Sequence, residues 1–287
     1  MKYINKKLSI DKVNFLKIAK KYGTPTYCYS YSTLKENILN FQKNFKSISP
    51  LICFAVKSNT NVNLINEISK FGFGADVVSV GEMMMALKAG VSPNKIVFSG
   101  VGKTTNEISY AIDKKILLIN AESKSEVVEI NRVARQKNKI VKIGLRLNPN
   151  TDAKTLSQIS TGKKENKFGV NEKTFYEIID YCKGSQNINL NCLSVHIGSQ
   201  ILDHKPYEKM LKVVDNILKK TSHEFEYIDL GGGMGISYTN ENKKLNYKKY
   251  NLAIEKFLKN KKFKIIFEPG RSIIGNSETL ITKVIYI

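Results

Sequence analysis

Short runs of Val, Ile, Leu and Phe recur along the chain and alternate with longer stretches in which apolar residues return every three or four positions. The short runs lie at 51–56, 75–80, 95–98, 116–119, 140–147, 191–196, 226–230 and 265–267. Their continuous rather than alternating apolar character fits strands buried on both faces, as in parallel sheets. Amphipathic stretches at 63–70, 81–89, 123–136, 173–182, 207–219 and 247–258 fall between them and predict crossover helices. Eight strand-helix alternations in this span predict an α/β fold, a closed (βα)8 barrel of TIM type, in preference to an open doubly wound sheet.

Two pieces lie outside that alternation. Residues 1–30 precede the first barrel strand and 272–287 follow the last, leaving 31–271 for the barrel. The final SETLITKVIYI alternates and is β-branched, so it predicts the first strand of a further, all-β domain, to which 1–30 also belongs. On this reading the chain is a truncated form with fragments of a second domain at both ends.

Composition narrows the functional classes. The 287 residues carry Lys+Arg 46 against Asp+Glu 25, a net charge of +21. Only Arg132, Arg135, Arg146 and Arg271 are arginines, and the lysines are scattered. Nucleic-acid surfaces concentrate charge and favour the forked guanidinium, so a nucleic-acid partner is not expected. No window approaches the roughly 18 apolar residues of a membrane helix, and no apolar run follows the N-terminal lysines, so a soluble, cytoplasmic protein is expected. Cys28, Cys53, Cys182 and Cys192 lack CxxC spacing and the histidines lack HExxH spacing, which favours reduced thiols and no metal site.

In a (βα)8 barrel the working residues sit just past the C-terminal strand ends. Here those positions hold Lys57, Glu82, Arg146, His196 with Ser199, the DLGGGMGI glycines and the EPGR turn with Glu268 and Arg271. Lys57 ends the apolar run LICFAV, where burial should lower its pKa and free it to form an imine. Consecutive glycines after the seventh strand can bring several N–H groups to one anion, at the place where barrels hold phosphate. A lysine, a phosphate cradle and the flat ring of His196 on one rim are the parts that pyridoxal 5'-phosphate requires. Glu268 beside the ring nitrogen would keep the ring cationic, a strong electron sink suited to decarboxylation.

The motifs YGTPTYCYSYSTL, AVKSN, GFGADVVSVGE, SGVGKT, RLNP, ISTGKKENKFGV, HIGSQI, DLGGGMGI and EPGR occur in this order over nearly the whole chain. In them the sequence resembles the fold-type III pyridoxal-phosphate decarboxylases. Residues 159–169, ISTGKKENKFG, favour the diaminopimelate decarboxylases over the ornithine, arginine and carboxynorspermidine relatives, and a non-catalytic cofactor-binding protein remains the alternative from another class. The resemblance implies that Lys57 carries the cofactor, that His196 stacks on its ring and that Glu268 meets its nitrogen. It implies that Ser199, Gly232, Gly233, Gly270 and Arg271 hold the phosphate and that Arg271 also binds a substrate carboxylate. Asp76 and Arg146 match positions that pair beside the cofactor lysine. It further implies a homodimer in the full-length form, in which a C-terminal β domain with a CES-like segment and a late tyrosine completes the partner's site.

Overall fold

The computed structural model describes residues 2–153, 161–162, 168–238 and 244–287. Three short strands, β1 (Lys2–Ile4), β2 (Lys7–Ile10) and β3 (Val13–Asn14), form an antiparallel sheet, followed by the helix Phe15–Tyr22 and by β4 (Thr26–Tyr29). Then comes the predicted barrel: β5 (Leu51–Ala55), β6 (Gly74–Val77), β7 (Ile96–Phe98), β8 (Leu118–Ala121), β9 (Val141–Leu147), β10 (Ile188–Val195), β11 (Tyr227–Asp229) and β12 (Lys264–Phe267), all parallel and closed by the pairing of β12 with β5. A last strand, β13 (Glu278–Ile281), pairs antiparallel with β4, joining the two ends of the described chain in one small sheet.

Most strand boundaries move by one to three residues from the sequence reading, and the cause is local hydrogen bonding. The run at 75–80 stops at Val77 because Ser79 caps the next helix, its hydroxyl accepting from the Glu82 N–H. The run at 191–196 begins earlier, at Ile188, because a bulge between Leu190 and Cys192 carries the pairing with β9 across the polar Asn189 and Asn191. Two barrel helices escaped the pattern, Tyr31–Asn44 and Thr105–Lys114. The first lies before β5 in sequence, yet its Asn37 amide donates to the Ile273 carbonyl at 2.8 Å, packing it against the short helix Arg271–Ile274. It thereby covers the barrel where the last turn is too short to do so. Phe41 and Phe45 of this helix meet Phe267, Tyr247 and Tyr250 in a buried aromatic cluster, with Phe45 and Phe267 centroids 4.7 Å apart. The strand expected over the final segment is confined to β13, and Thr282–Ile287 has no regular structure.

Among the described residues the core has three parts. The largest lies between barrel and helices; a second, Cys53, Val97, Leu118, Cys192, Tyr227 and Ile266, plugs the barrel interior, and a small third, Ile10, Phe15 and Cys28, lies beneath the terminal strands. Strand side chains alternate faces, so stepping two residues toward each C-terminal end stays inside the barrel. That step leads from Val97 to Ser99, Leu118 to Asn120, Cys192 to Ser194, Tyr227 to Asp229 and Ile266 to Glu268, all buried. The interior thus passes from an apolar floor to a polar middle layer, and the next step reaches Lys57, Arg146 and His196 at the mouth.

Candidate active site

Lys57 sits in the turn Val56–Ser58 directly after β5, and its amine donates to Asp76 Oδ2 at 2.8 Å. Asp76 is fully buried in β6, while the Lys57 side chain keeps half its surface open toward the barrel mouth. Burial alone would lower the pKa of this amine, but the Asp76 carboxylate, charged and hydrogen-bonded to it, is the chief influence that outweighs burial and raises it. The expectation of a lowered pKa is therefore corrected: Asp76 keeps Lys57 an ammonium. Glu268 lies just past β12, and its burial together with the Asp229 and Asp76 charges holds its carboxyl well above the ordinary range, against the pull of Lys57.

His196, immediately after β10, accepts the Gly232 N–H at Nδ1 (3.2 Å), which leaves the ring proton on Nε2 in that tautomer. Burial, then the Arg146 and Lys57 cations, pushes its pKa well below the usual histidine value, so the ring is neutral. Lys57, Glu268, Arg146 and His196, far apart in sequence, lie within electrostatic reach at one mouth. Arg146 does not pair with Asp76 as the resemblance implied. Its Nη1 donates to Glu122 Oε1 at 3.1 Å, and both groups are buried. Glu122 also accepts the N–H groups of Gly100 (3.0 Å) and Gly169 (3.1 Å) and so ties three loops to Arg146.

The glycines after β11 are required by close approach. A Cβ on Gly232 would lie 2.1 Å from the Glu268 carbonyl oxygen, and one on Gly233, at φ +88°, would lie 2.2 Å from that of Gly198. These contacts draw the loops after β10, β11 and β12 together beside the half-buried Ser199. The Gly231 and Gly232 N–H groups donate to Asp229 Oδ1 and His196 Nδ1, so the cradle is narrower than three glycines suggest. Gly270 packs on the end of β5, where a Cβ would come within 3.1 Å of Ala55 and Ser58. Arg271 donates through Nη1 to the Tyr238 hydroxyl. Of the 159–169 motif only Thr161, Gly162, Phe168 and Gly169 fall among the described residues.

A phosphorylated pyridine aldehyde fits these residues. Among the described residues, Asp76 Oδ1 and Arg271 Nε are buried without a hydrogen-bond partner, and buried polar groups are rarely left so. An acceptor beside the lysine and a donor beside the glycine turn match the two ends of such a molecule. Several residues that build the site were not found from sequence: Glu122, Asn120, Ser99, Ser194, Asp229 and Lys103. Gly144, in the interior of β9, was the available signal, since a mid-strand glycine often marks a neighbour needing its space. A Cβ there would lie 1.9 Å from Asn120 Oδ1.

Comparison with known proteins agrees with this geometry. Residues 31–275 match the family described as "Pyridoxal-dependent decarboxylase, pyridoxal binding domain". The chain is 39% identical over 291 residues to diaminopimelate decarboxylase of Aquifex aeolicus, a match spanning 100% of this chain and 69% of that protein. The chain belongs to the diaminopimelate decarboxylase family. It is 41% identical to the Helicobacter pylori strain J99 member, over 95% of this chain and 68% of the relative. A crystal structure of the Helicobacter pylori enzyme complexed with L-lysine superposes with a TM-score of 0.92 at 40% identity, covering 95% of this chain and 70% of that one. As in the family, the cofactor is pyridoxal phosphate and the reaction class is decarboxylation.

Proposed function

We propose that this chain forms the cofactor-bearing barrel of an enzyme that removes CO2 from meso-2,6-diaminopimelate to give L-lysine. The observation that carries this reading is the meeting of Lys57, Asp76, His196, Arg146 and Glu268 at one barrel mouth in a chain this similar to diaminopimelate decarboxylases. Bound there, pyridoxal 5'-phosphate supplies an electron sink for the pair left on the substrate Cα when CO2 departs.

Lys57 would hold the cofactor aldehyde. Its charged amine would have to release a proton to do so, and Asp76 Oδ2, which accepts its hydrogen bond at 2.8 Å, is the acceptor within reach. His196, a neutral imidazole whose orientation is fixed by the Gly232 N–H, would stack on the cofactor ring. Glu268 would meet the ring nitrogen. Ser199, Gly232, Gly233, Gly270 and Arg271 would hold the phosphate, and Arg271 would also bind a substrate carboxylate. Arg146, fixed by Glu122, adds a cation beside Lys57. A homodimeric assembly and a cytoplasmic setting, with no nucleic-acid or membrane partner, belong to the same proposal; among the described residues no helix is long and apolar enough to cross a membrane.

The test is spectroscopic and chemical. Lys57→Ala should abolish the absorbance band of the lysine-bound cofactor, and product analysis of the enzyme should give L-lysine from diaminopimelate and nothing from ornithine or arginine. A band that persists in the variant, or preferential loss of CO2 from ornithine or arginine, would overturn the assignment.

A further inference from the structure

Beneath Glu268 the barrel interior holds a second carboxylate to which the chemistry above gives no role. Asp229 is fully buried, two residues above the floor residue Tyr227. Its Oδ2 accepts from Asn120 Nδ2 at 3.0 Å and from Ser194 Oγ at 3.3 Å, and its Oδ1 accepts the Gly231 N–H at 2.9 Å. Asn120 Nδ2 also donates to Ser99 Oγ at 3.2 Å, and Ser99 Oγ donates to Glu268 Oε1 at 3.3 Å, so two side chains link the buried Asp229 and Glu268 carboxyls. Adjacent like charges resist ionising together, so one proton is retained between two buried acids placed this way.

The donors decide where that proton sits. Asp229 receives three donors, from Asn120, Ser194 and Gly231, whereas Glu268 receives the Ser99 hydroxyl at a long 3.3 Å. Hydrogen bonds to a carboxylate favour its charged form, so the charge rests on Asp229 and the proton on Glu268. The arrangement is built in by β9: Gly144 leaves the space that the Asn120 side chain occupies, at a strand position where glycine is otherwise unfavourable. The other groups facing the pair are Asp76, which adds like charge to both, Lys57, which opposes it at Glu268, and the thiols of Cys53 and Cys192, which stay neutral in the apolar floor.

We propose that Asp229, held by Asn120, Ser194 and Gly231, is a positioning residue for the reaction: it shares one proton with Glu268, and its charge raises the basicity of Glu268 toward the cofactor ring nitrogen. The proposal rests on the reading that Glu268 faces that nitrogen. With the Asp229 charge behind it, Glu268 would keep a proton between itself and the ring nitrogen to higher pH than a lone carboxyl would.

Two measurements test this. In the chain without cofactor, infrared spectra at neutral pH should contain a protonated carboxylic acid band that Glu268→Gln removes and that Asp229→Asn also removes, because Glu268 then ionises. In the holo form, the pH at which the ring nitrogen titrates, read from cofactor absorbance, should fall by about one unit in Asp229→Asn, a tenfold change in protonation. Ser194→Ala, which removes one donor and no charge, should leave that pH within a few tenths. Should Asp229→Asn fold poorly, Asp229→Ser removes the same charge with a smaller side chain and should move the titration downward alike. An acid band absent from the wild type, or a titration that Glu268→Gln moves and both Asp229→Asn and Asp229→Ser leave in place, overturns the proposal. A titration that Glu268→Gln itself leaves unmoved overturns the earlier reading of Glu268, and this proposal with it.

Discussion

Lys103 should be worth more to the fold than any surface lysine of this chain. It lies in the SGVGKT segment after β7, with its side chain 1% exposed, and it donates to Glu126 Oε1 at 2.6 Å, to the Gly100 carbonyl at 2.6 Å and to the Asn120 carbonyl at 2.7 Å. The amine therefore stitches the loop after β7 to the end of β8 and to the helix Lys124–Gln136. Lys103→Met keeps the stem and removes the charge, leaving the Glu126 carboxylate, 10% exposed, without its cation. Breaking a buried pair from one side costs about 3–5 kcal/mol. At about 2.1 cal/mol/K per residue, a chain of 287 residues has an unfolding entropy near 0.6 kcal/mol/K, so the midpoint should fall by about 5–8 °C. Thermal unfolding followed by circular dichroism measures this. Lys103→Met/Glu126→Gln, which leaves neither charge, should recover at least half of the loss. A drop below about 2 °C for the single variant, or a double variant as unstable as the sum of the two singles, would refute the argument.

Other consequences are open to measurement. Gly232→Ala should lower cofactor affinity at least tenfold, about 1.4 kcal/mol, because the new methyl would meet the Glu268 carbonyl, and equilibrium titration of pyridoxal phosphate reads this. Glu226, near the floor of the barrel, is partly desolvated, which alone would raise its pKa, but hydrogen bonds from Lys142 and Lys264 bring it down to about 2. A depressed carboxyl stabilises the fold above its unfolded pKa and loses that contribution as pH falls toward 2, so Glu226→Gln should flatten the acid limb of stability between about pH 4.5 and 2. His196 runs the same way for a different reason: its folded pKa is lowered, so the native state resists protonation and stability declines as pH falls below about 6.5, a decline that His196→Asn should reduce in urea titrations. All four cysteines are buried and free, and burial raises each thiol pKa, so thiol reagents should label them only at the rate of unfolding.

The barrel was legible because each strand is an unbroken apolar run, and the mouth residues because strand ends are where barrels place chemistry. Lys57, His196 and Glu268 could be picked out on that ground alone. What stayed hidden were groups whose function depends on partners across the barrel. Glu122 reads as an ordinary acid ahead of the helix cap Ser123, and only the fold sets it against Arg146. Asp229 reads as the entrance to a glycine turn, and Asn120 as a polar interruption in a strand. The Lys57 pKa was misjudged because the length of LICFAV reveals burial but not the Asp76 carboxylate of β6 beside it. The helix Tyr31–Asn44 was missed because it belongs to the far end of the barrel, which sequence order conceals.

The vertical ordering of the barrel lumen has a practical consequence for anyone redesigning this scaffold. Hydrocarbon contacts near the base, a shared-proton stratum at mid-depth and carboxylate-held cations at the opening occupy successive storeys of the same strands, two residues apart. Specificity is therefore best retuned in the loops above the uppermost storey, since an exchange within the storeys changes scaffold and reactivity together.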